Sequence, residues 1–283
     1  MANDALTARR GPVWKILRNR NLVIGGTILG LIILGALLAP WITSYGPLEQ
    51  DTRSALQGPS LEHPFGTDNF GRDIFSRVLH GGRIDLRFGA LAVLAPLLIG
   101  IVIGSISAYY GRWVDALLMR IVDVVQAFPF IVLVIFFVAV LGPGLWNMVM
   151  AVALVAWIVY ARLIRGSILV EKNKEYVIAA KAIGGGDWRI MRQHLFPNVV
   201  TPSIIYAMAD IAQYIGLLAT LSFLGLGERP PAPEWGAMIS SGRDYMVTAW
   251  WITAIPGAAI VITGIALSMI GDGLADLLRP GGR

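Results

Sequence analysis

Long apolar runs separated by shorter polar stretches dominate the sequence. A helix needs about 20 apolar residues to cross a hydrocarbon core about 30 Å thick, because its backbone groups must be satisfied within the segment. Six runs approach or exceed that length, and four of them contain no charged residue. The pattern therefore predicts an all-α protein, a polytopic membrane bundle of six transmembrane helices. The predicted spans are residues 22–42, 88–110, 117–141, 145–161, 199–226 and 249–270.

Close helix packing within this bundle is predicted from two GxxxG spacings. Gly26 and Gly30 lie in the first span, and Gly100 and Gly104 lie in the second. Small residues at this spacing let helix backbones approach closely in a membrane. We therefore expect both pairs at helix contacts rather than at a binding site.

Composition supports a membrane protein and excludes several kinds of chemistry. Of the 283 residues, 56% are hydrophobic and 14% are charged, and the mean hydropathy is +0.67. A soluble protein carries about 25% charged residues, so this chain lacks the charge to cover a water-facing surface. The absence of cysteine excludes disulfides and thiolate-bound metals. No zinc-binding pattern joins the three histidines, His63, His80 and His194, so we expect neither a metal site nor a cofactor.

The placement of the basic residues predicts the orientation. The net charge is +5, and in membrane proteins Lys and Arg collect in cytoplasmic segments. With a cytoplasmic N-terminus, sixteen of the 23 basic residues fall inside and seven fall outside. We therefore predict cytoplasmic segments at both ends, residues 1–21 and 274–283, and no nucleic-acid partner. The apolar run at 22–42 exceeds the roughly 7–15 residues of a signal peptide core, so it is predicted to stay as the first transmembrane helix.

The predicted external connection, residues 43–87, contains helical signals. Asp68 is predicted as an N-cap, and the pair Gly81-Gly82 is predicted to end the helix. Four apolar residues between them recur at helical spacing: Ile74, Phe75, Val78 and Leu79. The pattern predicts a short amphipathic helix, which either lies at the membrane surface against the bundle or contacts substrate directly.

The predicted internal connection, residues 162–198, contains two further helices. The first presents one stripe of mostly small or flat side chains: Tyr176, Ala179, Ala180 and Ile183. The triple glycine at 184–186 is predicted to break it, because glycine costs about 1 kcal/mol per position relative to alanine. Asp187 is predicted to cap the second helix, and Pro197 to end it. The second stripe consists of Ile190, Met191, His194 and Leu195.

Two interpretations of this internal connection stay open on periodicity alone. The two short helices could form a plug that seats in a groove on another protein. They could equally be linker helices that pack on their own bundle. Seven of the 23 basic residues fall between 162 and 192, and under the first interpretation they mark the docking surface.

The internal connection resembles the EAA motif of ABC importer permeases. That motif reads Glu-Ala-Ala, three residues, Gly, nine residues, Ile, any residue, Leu-Pro. Ala179, Ala180, Gly184 and Pro197 match it at the same spacing, whereas Ile178 replaces the glutamate, so the role of that acid is lost or moved to Glu175. The resemblance implies coupling to an ATPase through this segment. The residues concerned are Glu175, Tyr176, Ala179, Ala180, Ile183, Gly184, Asp187 and Pro197.

Three stretches look like the C-type subunit of the dipeptide, oligopeptide and nickel branch of this family. They are residues 63–77, residues 175–198, and residues 221–236 with their Glu-Trp-Gly ending. Leu218 departs from the family, which often carries a glutamate there. The resemblance covers nearly the whole chain and implies a type I ABC importer permease fold, with residues 88–273 as a five-helix core.

The resemblance also implies function and partners. It implies a permease subunit of an ATP-driven importer in a bacterial or archaeal cytoplasmic membrane. The implied partners are a sister permease, two ATP-binding subunits, an external substrate-binding protein and the lipid membrane. The chain itself is expected to have no catalytic residue and no cofactor, with ATP bound by the partner subunits, and its sequence contains no GxxxxGKS/T phosphate-binding loop. Di- or oligopeptides are the expected substrates, with nickel or another small solute as the alternative.

Few ionisable residues fall inside the predicted spans, where each costs about 2.5–3.5 kcal/mol on insertion scales. Asp210 lies near the middle of its span, so we expect it to face the bundle interior or the translocation pathway. Arg120 and Asp123 are i, i+3 neighbours and are predicted to pair. The scarcity of such charges and the lack of a convincing internal repeat argue against an ion-driven secondary carrier. A non-transporting membrane scaffold is the third alternative.

Overall fold

The structure, a computed structural model, describes residues 18–278, and the regular secondary structure in that range is helical apart from a single β-bridge between Thr67 and Asp73. This confirms the all-α prediction. Residues 1–17 and 279–283, which hold most of the predicted N-terminal segment and half of the predicted tail, lie outside the described range. The helices are α1 (Arg20–Ile42), α2 (Ile74–Tyr110), α3 (Arg112–Gln126), α4 (Phe130–Leu141), α5 (Leu145–Glu171), α6 (Glu175–Ala182), α7 (Asp187–Ile190), α8 (Phe196–Phe223), α9 (Trp235–Gly242) and α10 (Trp251–Leu278).

Five of the predicted spans are long apolar helices, and the sixth is broken. Helices α1, α2, α5, α8 and α10 are long and apolar enough to cross a membrane. The predicted span 117–141 is instead formed by α3 and α4, which meet at an angle of 88°. Pro129 explains the break, because a proline disfavours helical geometry in the residue before it and has no N–H to continue the helix. The six-span prediction holds when this bent pair is counted as one span.

The described part of the chain divides into two compact units, of which the first comprises residues 18–87 and 208–278. Here α1 packs against α10, and a Cβ added to Gly25 would lie 2.7 Å from the carbonyl oxygen of Ala266. Only glycine permits that approach. Two buried tryptophans fix this region. Trp251 Nε1 donates to the carbonyl of Thr67, in the connection between α1 and α2, at 3.1 Å, and Trp235 Nε1 donates to that of Val78, in the first turns of α2, at 2.9 Å.

The predicted short amphipathic helix is the beginning of α2, and Gly81-Gly82 does not end it. Helix α2 continues from Ile74 to Tyr110. A Cβ added to Gly81 would lie 2.1 Å from the carbonyl oxygen of Pro233, and one added to Gly82 would lie 3.3 Å from the Trp235 ring. The glycines are therefore needed for close packing, and the helical bonds carry on through them.

The predicted N-cap is also displaced along the chain. Asp73 rather than Asp68 lies directly before α2, and its carboxylate accepts a hydrogen bond from Ser76 N at 2.7 Å. The Asp68 carboxylate instead accepts from the backbone N–H groups of Phe70 and Arg72 at 2.8 and 3.0 Å. Asp68 thus closes the turn that leads into the helix, while Asp73 satisfies a free N–H of its first turn.

Arg83 compensates for a proline in the first helix. Pro40 has no N–H, so the carbonyl of Ala36, four residues earlier, loses its helical donor. Arg83 Nε donates to that oxygen at 2.5 Å, and Arg83 Nη2 donates to the carbonyl of Leu37 at 2.6 Å. One guanidinium therefore fixes the end of α1 to α2.

In the second unit, residues 88–207, α5 is the central helix. The expectation for Gly100 and Gly104 is confirmed: a Cβ at Gly100 would lie 2.4 Å from Tyr160 Cβ, and one at Gly104 would lie 2.4 Å from the carbonyl oxygen of Ala161. The corresponding expectation for the first span is wrong. Neither glycine of that pair has any neighbouring atom within 4 Å of an added Cβ, and the preceding glycine makes the helix contact instead.

Candidate functional site

The predicted coupling segment joins the end of α5 to the start of α8. Helix α6 ends at Ala182, and Gly184 has φ +82°, a left-handed conformation that favours glycine. The N–H of Gly185 donates to the carbonyl of Ala180 at 3.0 Å, which closes the helix end in the manner of a Schellman motif. The predicted glycine break is confirmed.

Asp187 lies in the first turn of α7, where Gly186 is the N-cap. The Asp187 carboxylate accepts a hydrogen bond from the hydroxyl of Tyr109, on α2. The ammonium of Lys181 lies 5.5 Å from the centre of the same Tyr109 ring. Asp187 is therefore not the predicted cap, and Tyr109 contacts the segment on both sides of the glycine break.

Pro197 does not end the second helix. A π-helical turn, Met191–Leu195, connects α7 to α8, and Pro197 lies in the first turn of α8. The N–H of Phe196 donates to the carbonyl of Met191, five residues back. A proline ring clashes with the carbonyl four residues before it in an α-helix, and the wider turn relieves that clash.

The predicted stripe of the first helix is divided between two faces. Ala180 is buried together with Val177, in a cluster that also contains Ile168, Ile190 and Leu195. Ala179 and Ile183 of the same predicted stripe are exposed. Successive helical residues point about 100° apart, and the burial of Val177 turns the face between 177 and 180 inward. The linker interpretation is correct for this inner face.

The outer face of the segment carries uncovered apolar side chains beside exposed charged ones. Ile183 is 87% exposed, Trp188 is 76% exposed and Ile178 is 55% exposed. We name the exposed apolar residues of α6, the glycine break and α7 the elbow patch. They are Ile178, Ala179, Ala182, Ile183 and Trp188. Exposed apolar side chains gathered on one short segment are typical of a protein or membrane contact.

Hydrogen bonds close the base of the segment. The Tyr176 hydroxyl donates to the carboxylate of Glu171, the last residue of α5. Asn198 Nδ2 donates to the Tyr176 hydroxyl at 3.1 Å and to the carbonyl of His194 at 2.7 Å. Burial, and then the hydrogen bond to Glu171, raise the pKa of Tyr176 to about 12, so its hydroxyl keeps its proton. One tyrosine thus joins the end of α5 to the start of α8.

Sequence reasoning missed Glu171 and the contacts of Asn198. Glu171 is buried, with 8% of its surface exposed, and its Oε2 lies 2.8 Å from Lys174 Nζ. A carboxylate at the C-terminus of a helix opposes the helix dipole. An acid in that position needs a compensating donor, and this was the available signal.

Ion pairs fix the same end of α5 to α2 and α3. Arg165 binds Asp115 through Nε and Nη2, both at 2.6 Å, and Ser107 Oγ donates to Asp115 at 2.5 Å. The predicted pair between Arg120 and Asp123 does not form. Asp123 instead pairs with Arg162 at 2.5 Å, with about half of each side chain exposed. The cause is geometric, since α5 offers a guanidinium opposite Asp123.

Two further predicted site residues, Glu175 and Asp210, lie apart from these contacts. Glu175 is exposed in the first turn of α6, where a negative charge favours the helix. Asp210 lies at the middle of α8 and is buried, as expected for an ionisable residue that faces away from lipid. Among residues 18–278, no three His, Asp or Glu side chains form a group that could hold a metal ion.

Comparison with known families gives two matches that together cover most of the chain. Residues 100–283 match the family described as binding-protein-dependent transport system inner membrane component. Residues 12–59 match the N-terminal transmembrane domain of oligopeptide transport permease C. The first match includes the whole coupling segment.

Curated relatives are similar over nearly their full length. The dipeptide transport system permease protein of Alkalihalophilus pseudofirmus is 42% identical over 276 residues, which is 98% of this chain and 91% of that protein. The glutathione transport system permease protein of Pectobacterium atrosepticum is 41% identical, covering 94% of this chain and 89% of that protein.

Solved structures show the same fold at low sequence identity. A subunit of the MetNI methionine ABC transporter, crystallised in inward-facing conformations, aligns with a TM-score of 0.57 and 18% identity. The alignment covers 72% of this chain and 97% of that one. A chain of an amino acid ABC transporter aligns with a TM-score of 0.54, covering 69% of this chain and 91% of that one.

Proposed function

The chain belongs to the binding-protein-dependent transport system inner membrane component family, and from this membership we propose that it forms half of a translocation pathway for di- or oligopeptides. It is a multi-pass permease subunit of an ABC importer. The relatives named for dipeptide and glutathione transport support peptides as the substrate class. A sister permease supplies the other half of the pathway.

The observation that carries the coupling proposal is the elbow patch on a fixed base. Its exposed apolar side chains suit a groove on an ATP-binding subunit, because such surfaces are covered by a partner in working assemblies. Each of the predicted coupling residues then has a distinct part. Ala179 and Ile183 contact the partner, Ala180 packs inward, and Gly184 makes the turn.

The other four predicted coupling residues hold the segment in place. Tyr176 closes the base, and Asp187 is bound by Tyr109. Pro197 starts α8, and Glu175 favours the first turn of α6. None of these four lies on the elbow patch. They affect coupling by holding the elbow patch in position.

The assembly that follows contains two ATP-binding subunits, which bind and hydrolyse ATP, and an external substrate-binding protein, which delivers the peptide. The site of action is the bacterial inner membrane, with both termini of the chain in the cytoplasm. The coupling segment then faces the cytoplasm as well. Asp210 lies on the proposed pathway, at the middle of α8.

The test is reconstitution of the complete importer with Ile183→Glu in this subunit. A charge placed in a buried apolar contact costs the contact most of its affinity, so peptide import and peptide-stimulated ATP hydrolysis should fall about tenfold or more, with unchanged membrane insertion. Leu61→Glu is the matched control, because Leu61 is likewise a highly exposed apolar residue but lies in the connection between α1 and α2. Wild-type import by Ile183→Glu would overturn the coupling assignment.

The same preparation tests substrate and energy source. Import of peptide that requires ATP and the substrate-binding protein supports the proposal, whereas nickel import in its place would replace peptides as the substrate. Transport by the chain alone, driven by a proton or sodium gradient, would refute the importer assignment. ATP hydrolysis that never responds to peptide would indicate a scaffold.

A further inference from the structure

The segment lacks an acid at the position where the EAA motif carries one. Ile178 occupies that position, is 55% exposed and forms part of the elbow patch. Glu175, the nearest acid within the segment, is also exposed. The buried carboxylate of this region belongs to Glu171, seven residues before Ile178 and outside the motif.

Glu171 is the first member of a chain of polar contacts. Its carboxylate accepts a hydrogen bond from the Tyr176 hydroxyl and lies 2.8 Å from Lys174 Nζ. The Tyr176 oxygen in turn accepts from Asn198 Nδ2 at 3.1 Å, and Asn198 also donates to the His194 carbonyl at 2.7 Å. Three elements meet here, the end of α5, the start of α6 and the start of α8.

The direction of these bonds depends on the carboxylate. A hydroxyl has one proton, and Tyr176 has two acceptors within reach, Glu171 and the His194 carbonyl at 3.3 Å. The charged acceptor is the stronger one, so the Tyr176 hydroxyl donates its hydrogen bond to Glu171. The phenol oxygen then presents its lone pairs to Asn198.

We propose that Glu171 is a positioning residue, which holds Tyr176 and thereby fixes the coupling segment to α5 and α8. The proposal rests on the proposed coupling function. Without Glu171 the segment keeps its apolar inner face, through Val177 and Ala180, but its base is no longer tied to both long helices. Movement of the elbow patch is then passed to α5 and α8 less completely.

The experiment compares Glu171→Ala, Glu171→Gln and Tyr176→Phe in the reconstituted importer, with Glu228→Gln as the control. Glu228 is an exposed glutamate between α8 and α9, away from the segment. The measured quantity is peptide imported per ATP hydrolysed, normalised to assembled complex. A merely structural role would reduce the amount of complex and leave that ratio unchanged.

Glu171→Ala and Tyr176→Phe should each lower the ratio about tenfold, the effect of losing one charge-assisted hydrogen bond. Glu171→Gln keeps an acceptor oxygen and should retain most of the ratio. The double variant Glu171→Ala/Tyr176→Phe should be no worse than either single variant, because the two residues act through one contact. Independent, multiplying losses would contradict the proposal.

A second measurement does not depend on transport. The chain has no cysteine, so cysteines placed at Leu154 and Ala182 are the sole sites for spin labels, and both positions are exposed. Leu154 lies about 25 Å along α5 from Glu171 at 1.5 Å per residue. The distance distribution between the labels should broaden in Glu171→Ala and stay as in wild type in Glu228→Gln.

The outcomes separate the two proposals. Wild-type complex that imports no peptide would overturn the proposed function. A working wild-type importer in which Glu171→Ala keeps both the wild-type ratio and the wild-type distance distribution would overturn the role of Glu171 alone.

Discussion

The contact between α2 and α5 gives a prediction whose size can be worked out from distances. Alanine at position 100 would place its Cβ 2.4 Å from Tyr160 Cβ, 2.7 Å from the carbonyl oxygen of Trp157 and 2.8 Å from the N of Ala161. Carbon atoms in contact lie about 3.5–4.0 Å apart. The two helices must therefore separate by about 1 Å, because two of the three atoms belong to backbone and cannot rotate away.

Two opposing effects determine how much Gly100→Ala changes the free energy of unfolding. Overpacking of this kind costs about 1–3 kcal/mol, while alanine in place of glycine in a helix gains up to about 1 kcal/mol. With the full helix gain, the net expectation for Gly100→Ala is a loss of up to about 2 kcal/mol. For a chain of this size, a loss of about 2 kcal/mol corresponds to a Tm lower by about 4–8 °C.

The assay is thermal unfolding of the detergent-purified chain, followed by the loss of its monodisperse chromatographic peak. Gly166→Ala is the matched control, since Gly166 lies within α5 and nothing approaches an added Cβ within 4 Å. The control should keep its Tm or raise it slightly, because only the helix term remains. If Gly100→Ala raised the Tm as the control does, the close contact would not exist.

Three further perturbations concern the first unit and use the same assay. Arg83→Leu leaves the Ala36 carbonyl without a donor and should cost about 1–3 kcal/mol, whereas Arg53→Leu, at an exposed arginine, should change little. Trp235→Ala empties the middle of a buried cluster and should cost about 3–5 kcal/mol; a loss below 1 kcal/mol would contradict that packing. Burial raises the pKa of Glu234 above its ordinary 4.5. The contribution of the protonated side chain to the stability of the fold is therefore complete below pH 4.5 and is lost as the pH rises through the raised pKa. Glu234→Gln should make the fall of Tm with rising pH less steep. An unchanged slope of Tm against pH would refute the raised pKa of Glu234.

The two glycine clusters show where sequence reasoning works and where it stops. At 184–186 three consecutive glycines act locally, and the chain turns there with Gly184 at positive φ. At Gly81 and Gly82 the same signal is overridden, because Pro233 and Trp235 approach from more than 150 positions away in the sequence. Periodicity and turn residues describe neighbours along the chain. They contain no information on which distant backbone needs the space.

Which side chains of a short helix are buried could not be predicted from the sequence either. The stripe at Tyr176, Ala179, Ala180 and Ile183 has correct helical spacing, yet the buried face is centred between Val177 and Ala180. A shift of one residue rotates a helix by about 100°, and the sequence places apolar residues on both faces here. Only the position of the neighbouring α5 decides which face is covered.

The basic residues of the internal connection are expected to mark the docking surface, and most of them also bind groups of their own chain. The contacts are Arg162 with Asp123, Arg165 with Asp115, Lys172 with the Ala108 carbonyl, Lys174 with Glu171, and Lys181 with the Tyr109 ring. The two arginine pairs hold α5 to α3, and the three lysine contacts hold the coupling segment to α2 and α5. The apolar elbow patch lies beside these charges. Under the proposed coupling function, the charged contacts fix the base of the segment so that it transmits a push, and the apolar side chains of the elbow patch contact the ATP-binding subunit.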